Sequence, residues 1–272
     1  MKRGEIKVCI LRVGGTNCDA ETKRAFEALG AQARVVHMNE FEKHQSLLDY
    51  DALVFPGGFS CGDYVRAGAI WAKLTLARLG KDLKAFVDEN RPILGICNGF
   101  QVLVEMGLLP GFEGMSRFPE AALASNFPIG YNCRWVNVKY ENRGRSVLTC
   151  KISRKKVLRL PVAHAEGRFM FAKEREKQYL ERLYEKDQLV FRYCEEDGGY
   201  AEGRFPANPN GSFHDIAGIC NPDGTIFGLM PHPERAFYWW QQPDWTSQEK
   251  MSEFGDGKLI FESLVEYLEK KN

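Results

Sequence analysis

The sequence predicts an α/β fold built on a mainly parallel sheet with antiparallel additions. Three observations carry this. Up to residue 110, short β-branched runs alternate with helical patterns. Two of those runs, Ala52–Phe55 and Ile93–Ile96, are apolar throughout, as in strands covered by helices on both faces. Beyond them the apolar runs are joined by polar turns, and Asn221-Pro222-Asp223-Gly224 is a hairpin signal.

The elements follow in order. Ile6–Leu11 reads as a strand and Asp19–Leu29 as a helix whose buried face takes Ala20, Ala25, Phe26 and Leu29. Ala33–His37 and Ala52–Phe55 are further strands, the latter ending at Pro56-Gly57-Gly58. Trp71–Leu79 and Leu83–Glu89 look helical. Ile93–Ile96 is a strand, followed by a helix over Phe100–Met106. Trp135–Tyr140, Val147–Ile152 and Val157–Val162 read as strands, Glu174–Tyr184 as a charged helix, and Leu189–Tyr193 as a strand. Ile216–Cys220 and Thr225–Met230 flank the hairpin turn, and Lys258–Leu268 closes the chain as an amphipathic helix. There is no internal repeat or linker, so residues 1–272 are expected to form a single domain.

Composition narrows the function. The 272 residues can bury a core without disulfides. A formal charge of +1 argues against a chain built to hold nucleic acid or an anionic membrane. No apolar run approaches the ~18 residues of a membrane span, and Val8–Leu11 is too short for a signal peptide, so the expected location is the cytoplasm. Eight cysteines without a C-x-x-C pair fit reduced thiols better than disulfides, and no Cys or His spacing fits a metal site.

One cysteine stands apart. In Gly95-Ile-Cys97-Asn98-Gly99, a buried strand turns sharply into a helix, the layout of a nucleophile elbow with Cys in place of Ser. The helix N-terminus there favours a thiolate, and the Asn98 N–H points to where an oxyanion would form. A buried structural Cys would read the same in isolation. Gln101, one helical turn on, is placed to hydrogen-bond a substrate. Gly57 and Gly58 let backbone N–H groups approach a ligand, with Gly58 a second oxyanion donor. An acyl-enzyme needs a proton shuttle. His37 and His44 read as structural or solvated, whereas His232 is held stiffly between Pro231 and Pro233, with Glu234 two residues on to orient it. The other seven cysteines, Cys18 among them, read as structural.

Together, Pro56-Gly57-Gly58, Gly95–Gln101 and Pro231-His232-Pro233-Glu234 resemble the class I, or triad, glutamine amidotransferases. Thr16-Asn17-Cys18-Asp19, His164-Ala-Glu-Gly-Arg-Phe169, Pro206-Ala-Asn-Pro-Asn-Gly-Ser212 and Ile216–Asn221 are similar to the glutaminase subunits of phosphoribosylformylglycinamidine synthase within that family. The resemblance implies a three-layer sandwich, with Cys97, His232 and Glu234 as the triad. It implies Gly58 and Asn98 as oxyanion donors, and Gly57, Gln101 and His164 as glutamine contacts. It further implies glutamine hydrolysis in purine biosynthesis, the ammonia passing to a large synthetase subunit that uses ATP and magnesium, with a small accessory subunit alongside. This chain itself would need no cofactor or metal. The chain departs from the family at Ala165, where Gly is usual, at Val13-Gly-Gly-Thr16, and in loop extensions near 112–133 and 238–256. The Trp-rich 238–245 segment reads equally as a partner contact or a satellite core. Three other readings stay open on the residues alone: a glutaminase serving another acceptor, a stand-alone Cys hydrolase, and a non-catalytic regulatory subunit.

Overall fold

In a computed structural model, which describes residues 1–41, 46–247 and 252–271, the chain winds around a nine-stranded mixed sheet. In chain order the elements are β1 (Lys7–Arg12), α1 (Asp19–Ala28), β2 (Gln32–His37), β3 (Ala52–Phe55), α2 (Ala69–Asp88), β4 (Ile93–Ile96) and α3 (Asn98–Glu105). They continue with β5 (Ala122–Ala124), β6 (Asn132–Tyr140), β7 (Val157–His164), β8 (Arg168–Met170), α4 (Glu176–Glu185), β9 (Leu189–Cys194), β10 (Ile216–Cys220), β11 (Ile226–Leu229) and α5 (Lys258–Lys271). His44, read above as structural or solvated, lies outside the described residues.

The strands lie in the order β2-β1-β3-β4-β11-β10-β9-β6-β7. The first five are parallel and the remaining pairings antiparallel. From β1 the chain crosses outward through α1 to β2, then returns to β3 and crosses the other way through α2 to β4. Right-handed crossovers in opposite directions put their helices on opposite faces of the sheet. Accordingly α1 packs with α5, joined by the edge-on Phe26–Phe261 ring pair, and α2 packs with α3. This is the layered architecture the sequence implies, and β3 and β4 are buried at every residue.

Two elements differ from expectation. The two helices read over Trp71–Leu79 and Leu83–Glu89 are one helix, α2. Gly80 does not break it, because the apolar stripe runs on through Trp71, Ala72, Thr75, Leu79, Leu83 and Phe86, and tertiary packing overrides the roughly 1 kcal/mol that a mid-helix glycine costs. The strand read over Val147–Ile152 is a 3-10 turn at Val147–Thr149 followed by further turns. Its buried residues, Leu148, Thr149 and Ile152, pack toward α5, where Ser263 accepts from the Lys151 N–H at 3.0 Å.

The two extensions have distinct structures. Residues 112–133 contain β5, which pairs with β8 in a small antiparallel sheet beside the main one. In the 238–256 stretch, of which 248–251 lie outside the described residues, Tyr238 stacks on Trp240 with ring centroids 4.3 Å apart, and Phe237 packs edge-on against Phe254 and Phe261. The segment is thus a satellite of the core, with Trp240 left half exposed.

The parallel arrangement places four loops side by side. Residues after β1, β3, β4 and β11 all emerge at the carboxyl ends of neighbouring strands, where open α/β sheets bind ligands.

Candidate active site

Cys97 follows β4 directly and forms the N-cap of α3 with φ 51 and ψ −104, a sparsely populated conformation for a residue with a side chain. Two glycines make the turn possible by what they omit. A Cβ on Gly99 would lie 1.8 Å from the Phe55 carbonyl oxygen of β3, and one on Gly95 would lie 2.6 Å from Leu103. The Cys97 N–H donates to the Leu229 carbonyl at 2.8 Å, so the elbow is pinned to β11, the strand that delivers the histidine. The Asn98 N–H is the first of α3, among the donors a helix start leaves without an intrahelical partner.

His232 lies three residues beyond β11, its N–H donating to the Pro161 carbonyl of β7 at 2.8 Å. Its Nδ1 is 2.6 Å from Glu234 Oε1, and both side chains are buried. Burial opposes charge on the ring, yet the Glu234 carboxylate, with Cys97 and Cys18 beside it, holds the histidine well above its usual pKa. Nε2 is buried and makes no hydrogen bond among the described residues. Nδ1 is therefore committed to Glu234 and Nε2 is available for proton transfer.

One cavity of about 570 Å³ collects these groups. Its lining includes Gly58, Cys97, Gln101, His164, Glu166 and His232. Gln101 is tied at both ends of its amide: Nε2 donates to the Glu166 carbonyl at 2.5 Å, and Oε1 accepts from Asn98 Nδ2 at 2.9 Å. It thus lines the cavity while fixing two of its walls. Gly57 stands behind the imidazole instead of on the cavity wall. A Cβ there would meet His232 Cε1 at 2.6 Å.

His164 ends β7 and forms part of the cavity wall, but its ring is buried, facing Asn126 Oδ1 at 3.2 Å and Asn210 Nδ2 at 3.5 Å. Burial pushes its pKa down to about 3, so it is neutral. The Asn208-Pro-Asn-Gly-Ser212 segment is the scaffold behind this wall: Asn210 Nδ2 and Ser212 Oγ both donate to the Gly167 carbonyl, at 2.9 and 3.3 Å. Asn126 completes it, accepting from the Gly167 N–H and donating to the His164 carbonyl, both at 2.9 Å.

Three features escaped the sequence reading. Asp63 lines the cavity and is held up at about 6, first by burial and then by the Glu166 carboxylate. Arg235 also lines it, paired with Glu21 at 3.0 Å. Cys18, read as structural, lies on the cavity wall with its sulfur 3.9 Å from His232 Nδ1. Two signals bore on it: the Thr16-Asn17-Cys18-Asp19 segment similar to the family's, and its place after the first strand of a parallel sheet, where ligand loops gather. Donor atoms of Cys18, His232 and Glu234 lie within 4.8 Å of one another, close enough to share a metal ion. The Arg235 guanidinium, 3.2 Å from the Cys18 sulfur, already supplies positive charge at that point.

Comparison with known proteins shows the family of the chain. A family model described as a CobB/CobQ-like glutamine amidotransferase domain matches residues 5–268. The phosphoribosylformylglycinamidine synthase subunit PurQ of Archaeoglobus fulgidus is 50% identical over 99% of this chain and 100% of its own. That of Methanococcus maripaludis is 42% identical over 97% of this chain and 98% of its own. A chain in the structure of PurLQS from Thermotoga maritima superposes with a TM-score of 0.70 at 32% identity, covering 97% of this chain and 99% of that one.

Proposed function

Because the chain belongs to the CobB/CobQ-like glutamine amidotransferase family, we propose that it is the glutaminase subunit of phosphoribosylformylglycinamidine synthase. It hydrolyses glutamine and hands the ammonia to a partner synthetase subunit, which converts formylglycinamide ribonucleotide to formylglycinamidine ribonucleotide. The observation that carries the reading is the convergence of Cys97, on its strained elbow, and His232, backed by buried Glu234, on one cavity. Full-length similarity to PurQ subunits selects this acceptor among those an amidotransferase can serve.

The proposed chemistry runs on this chain's own residues. The glutamine carboxamide lies over Cys97, and the sulfur attacks its carbon. The oxyanion forms near the Gly58 and Asn98 N–H groups, which need not reorganise as charge develops. His232, charged and anchored through Nδ1, gives a proton from Nε2 to the departing amide nitrogen, releasing ammonia and leaving a glutamyl thioester on Cys97. A water then loses its proton to Nε2 and attacks the thioester, giving glutamate, whose carboxyl proton passes to solvent, and restoring the thiolate and charged imidazole that began the cycle. Gln101 and His164 act through the walls they hold, and Gly57 through the space it leaves for the imidazole.

We read residues 1–272 as one amidotransferase domain with extensions near 112–133 and 238–256. On this reading ATP and magnesium belong to the synthetase subunit, and a small accessory subunit joins the complex. Among the described residues no helix is long and apolar enough to cross a membrane, and all eight cysteines are free, which fits the reducing cytoplasm.

Mass spectrometry after treatment with a diazo-ketone glutamine analogue tests the assignment. The expected result is a single adduct on Cys97, lost in Cys97→Ser. In the reconstituted complex that variant should abolish glutamine-dependent synthesis and spare synthesis from added ammonium. An adduct elsewhere, or loss of the ammonium-dependent reaction, would overturn it.

A further inference from the structure

The site holds a second thiol for which the mechanism above has no use. Cys18 caps the N-terminus of α1 and is held firmly. Its N–H donates to the Gly57 carbonyl at 3.1 Å, and its own carbonyl accepts from Thr22 Oγ1 at 2.7 Å and from the Thr22 N–H at 3.1 Å. It therefore ties the first turn of α1 to the loop that carries Gly58.

The hydrogen bonds of the sulfur fall into one consistent set. Its S–H faces Asn17 Oδ1 at 3.7 Å, and it accepts from Arg235 Nη2 at 3.2 Å. The third contact of the sulfur is His232 Nδ1, 3.9 Å away. With its single proton turned to Asn17, the sulfur can only accept from the ring. Burial also pushes the Cys18 thiol up, so it stays protonated and does not compete with Cys97 as a nucleophile. The sulfur further separates two cations, the Arg235 guanidinium and the imidazolium that forms in each turnover. Glu21, from the same turn of α1, pairs with that guanidinium at 3.0 Å.

We propose that Cys18 is a positioning residue for His232. Its sulfur shares the Nδ1 proton with Glu234 and closes the space beside Gly57, so the ring stays charged with Nε2 turned to Cys97. The proposal rests on the triad reading above and concerns a group that touches no reacting atom.

The test uses the full-length chain with Cys18→Ala, Cys18→Val and Cys18→Ser. Valine keeps the volume without the acceptor, whereas serine keeps an acceptor. Alkylation of Cys97 by iodoacetamide is followed against pH by mass spectrometry on the chain alone. The kcat and KM for glutamine are measured in the reconstituted complex. With the acceptor gone, the imidazolium that supports the Cys97 thiolate is weaker, so the rise of alkylation moves to higher pH in both Ala and Val. The kcat falls about tenfold, the worth of roughly one hydrogen bond, with KM nearly unchanged. Serine restores both. If the alanine variant does not fold, the valine variant gives the reading. Unchanged profiles in Ala and Val would overturn the proposal, as would a serine variant as impaired as valine. Absence of any Cys97 adduct with the diazo-ketone analogue in the unaltered chain would instead overturn the triad reading.

Discussion

Gly57→Ala isolates the geometry of the proposed proton shuttle. The added Cβ would lie 2.6 Å from His232 Cε1, 3.1 Å from Nδ1 and 3.2 Å from the Cys18 sulfur. Carbon atoms in contact settle at about 3.5–4.0 Å, so the ring must retreat by roughly 1 Å. It cannot do so freely, because Nδ1 is held at 2.6 Å by buried Glu234. A displacement of about 1 Å at a reacting group costs on the order of 100-fold in rate, or about 2.7 kcal/mol in the barrier. The backbone at Gly57 lies outside the left-handed region, so the penalty is steric, and overpacking should cost about 1–3 kcal/mol of stability. Glutamate release by the complex reconstituted with its synthetase and accessory subunits measures the rate, and urea unfolding of the chain measures stability. Gly80→Ala is the control. Nothing lies within 4 Å of its added Cβ, so it should stabilise the chain by about 0.5–1 kcal/mol and leave kcat alone. A Gly57→Ala enzyme within threefold of the unaltered rate would show that Gly57 does not set the place of the imidazole.

Other perturbations have equally definite signs. Glu234→Gln removes the carboxylate that holds His232 charged and should lower kcat by about 10²–10⁴, with the basic limb of the pH–rate profile moving down. Because the folded-state pKa of His232 is raised, its stabilising contribution is complete below about 6.5 and is lost as pH rises through the folded value. The stability gap between Glu234→Gln and the unaltered chain should therefore be larger at pH 6 than at pH 9 in urea unfolding. Asp63 has the same sign of linkage for a different reason, since its raised pKa reflects a disfavoured charge. Moving from 3.8 to about 6 disfavours its charged form in the folded chain, and this half-buried group should destabilise by about 1 kcal/mol after solvent screening. Asp63→Asn should gain that at pH 7.5 and lose the gain below pH 4, a difference that denaturant midpoints resolve. Asn126→Ala removes the amide that satisfies Gly167 N–H and His164 C=O, and should cost about 2–3 kcal/mol while raising the KM for glutamine.

Most of the fold was legible because its signals are local. The apolar runs at Ala52–Phe55 and Ile93–Ile96 are strands with the same bounds, and the Asn221–Gly224 turn joins two antiparallel strands. The failures have physical causes. At Gly80 a residue that weakens helices was outweighed by the continuous stripe from Trp71 to Phe86, which becomes visible only when the sheet face it covers is known. At Val147–Ile152 the β-branched composition was real. Without a partner strand to complete a ladder, however, those residues packed on α5 as turns.

The candidate site divides along the same line. Cys97, His232 and Glu234, the proposed triad, stand out in the sequence because each sits in a distinctive local context: an elbow, a Pro-flanked loop, a carboxylate two residues away. Cys18 does not. Its neighbours Gly57, His232 and Arg235 are 39 to 217 residues distant in sequence, and the Thr16–Asp19 segment, though similar to the family's, does not say which groups the sulfur faces. Topology makes the difference. β1, β3, β4 and β11 are adjacent although they come from opposite ends of the chain, so the loop after β1 faces the loop after β11. Cys18, in the loop after β1, is thereby brought to the Nδ1 edge of the histidine, while Cys97, at the end of β4, lines the same cavity as the ring. The parallel sheet thus brings both thiols to the histidine of the proposed triad, and the elbow motif marks the Cys97 side more plainly than the Thr16–Asp19 segment marks the other. In folds of this class, then, a polar or sulfur-bearing residue one loop beyond the first strand is better judged by what the last core strand delivers opposite it than by its own sequence neighbourhood.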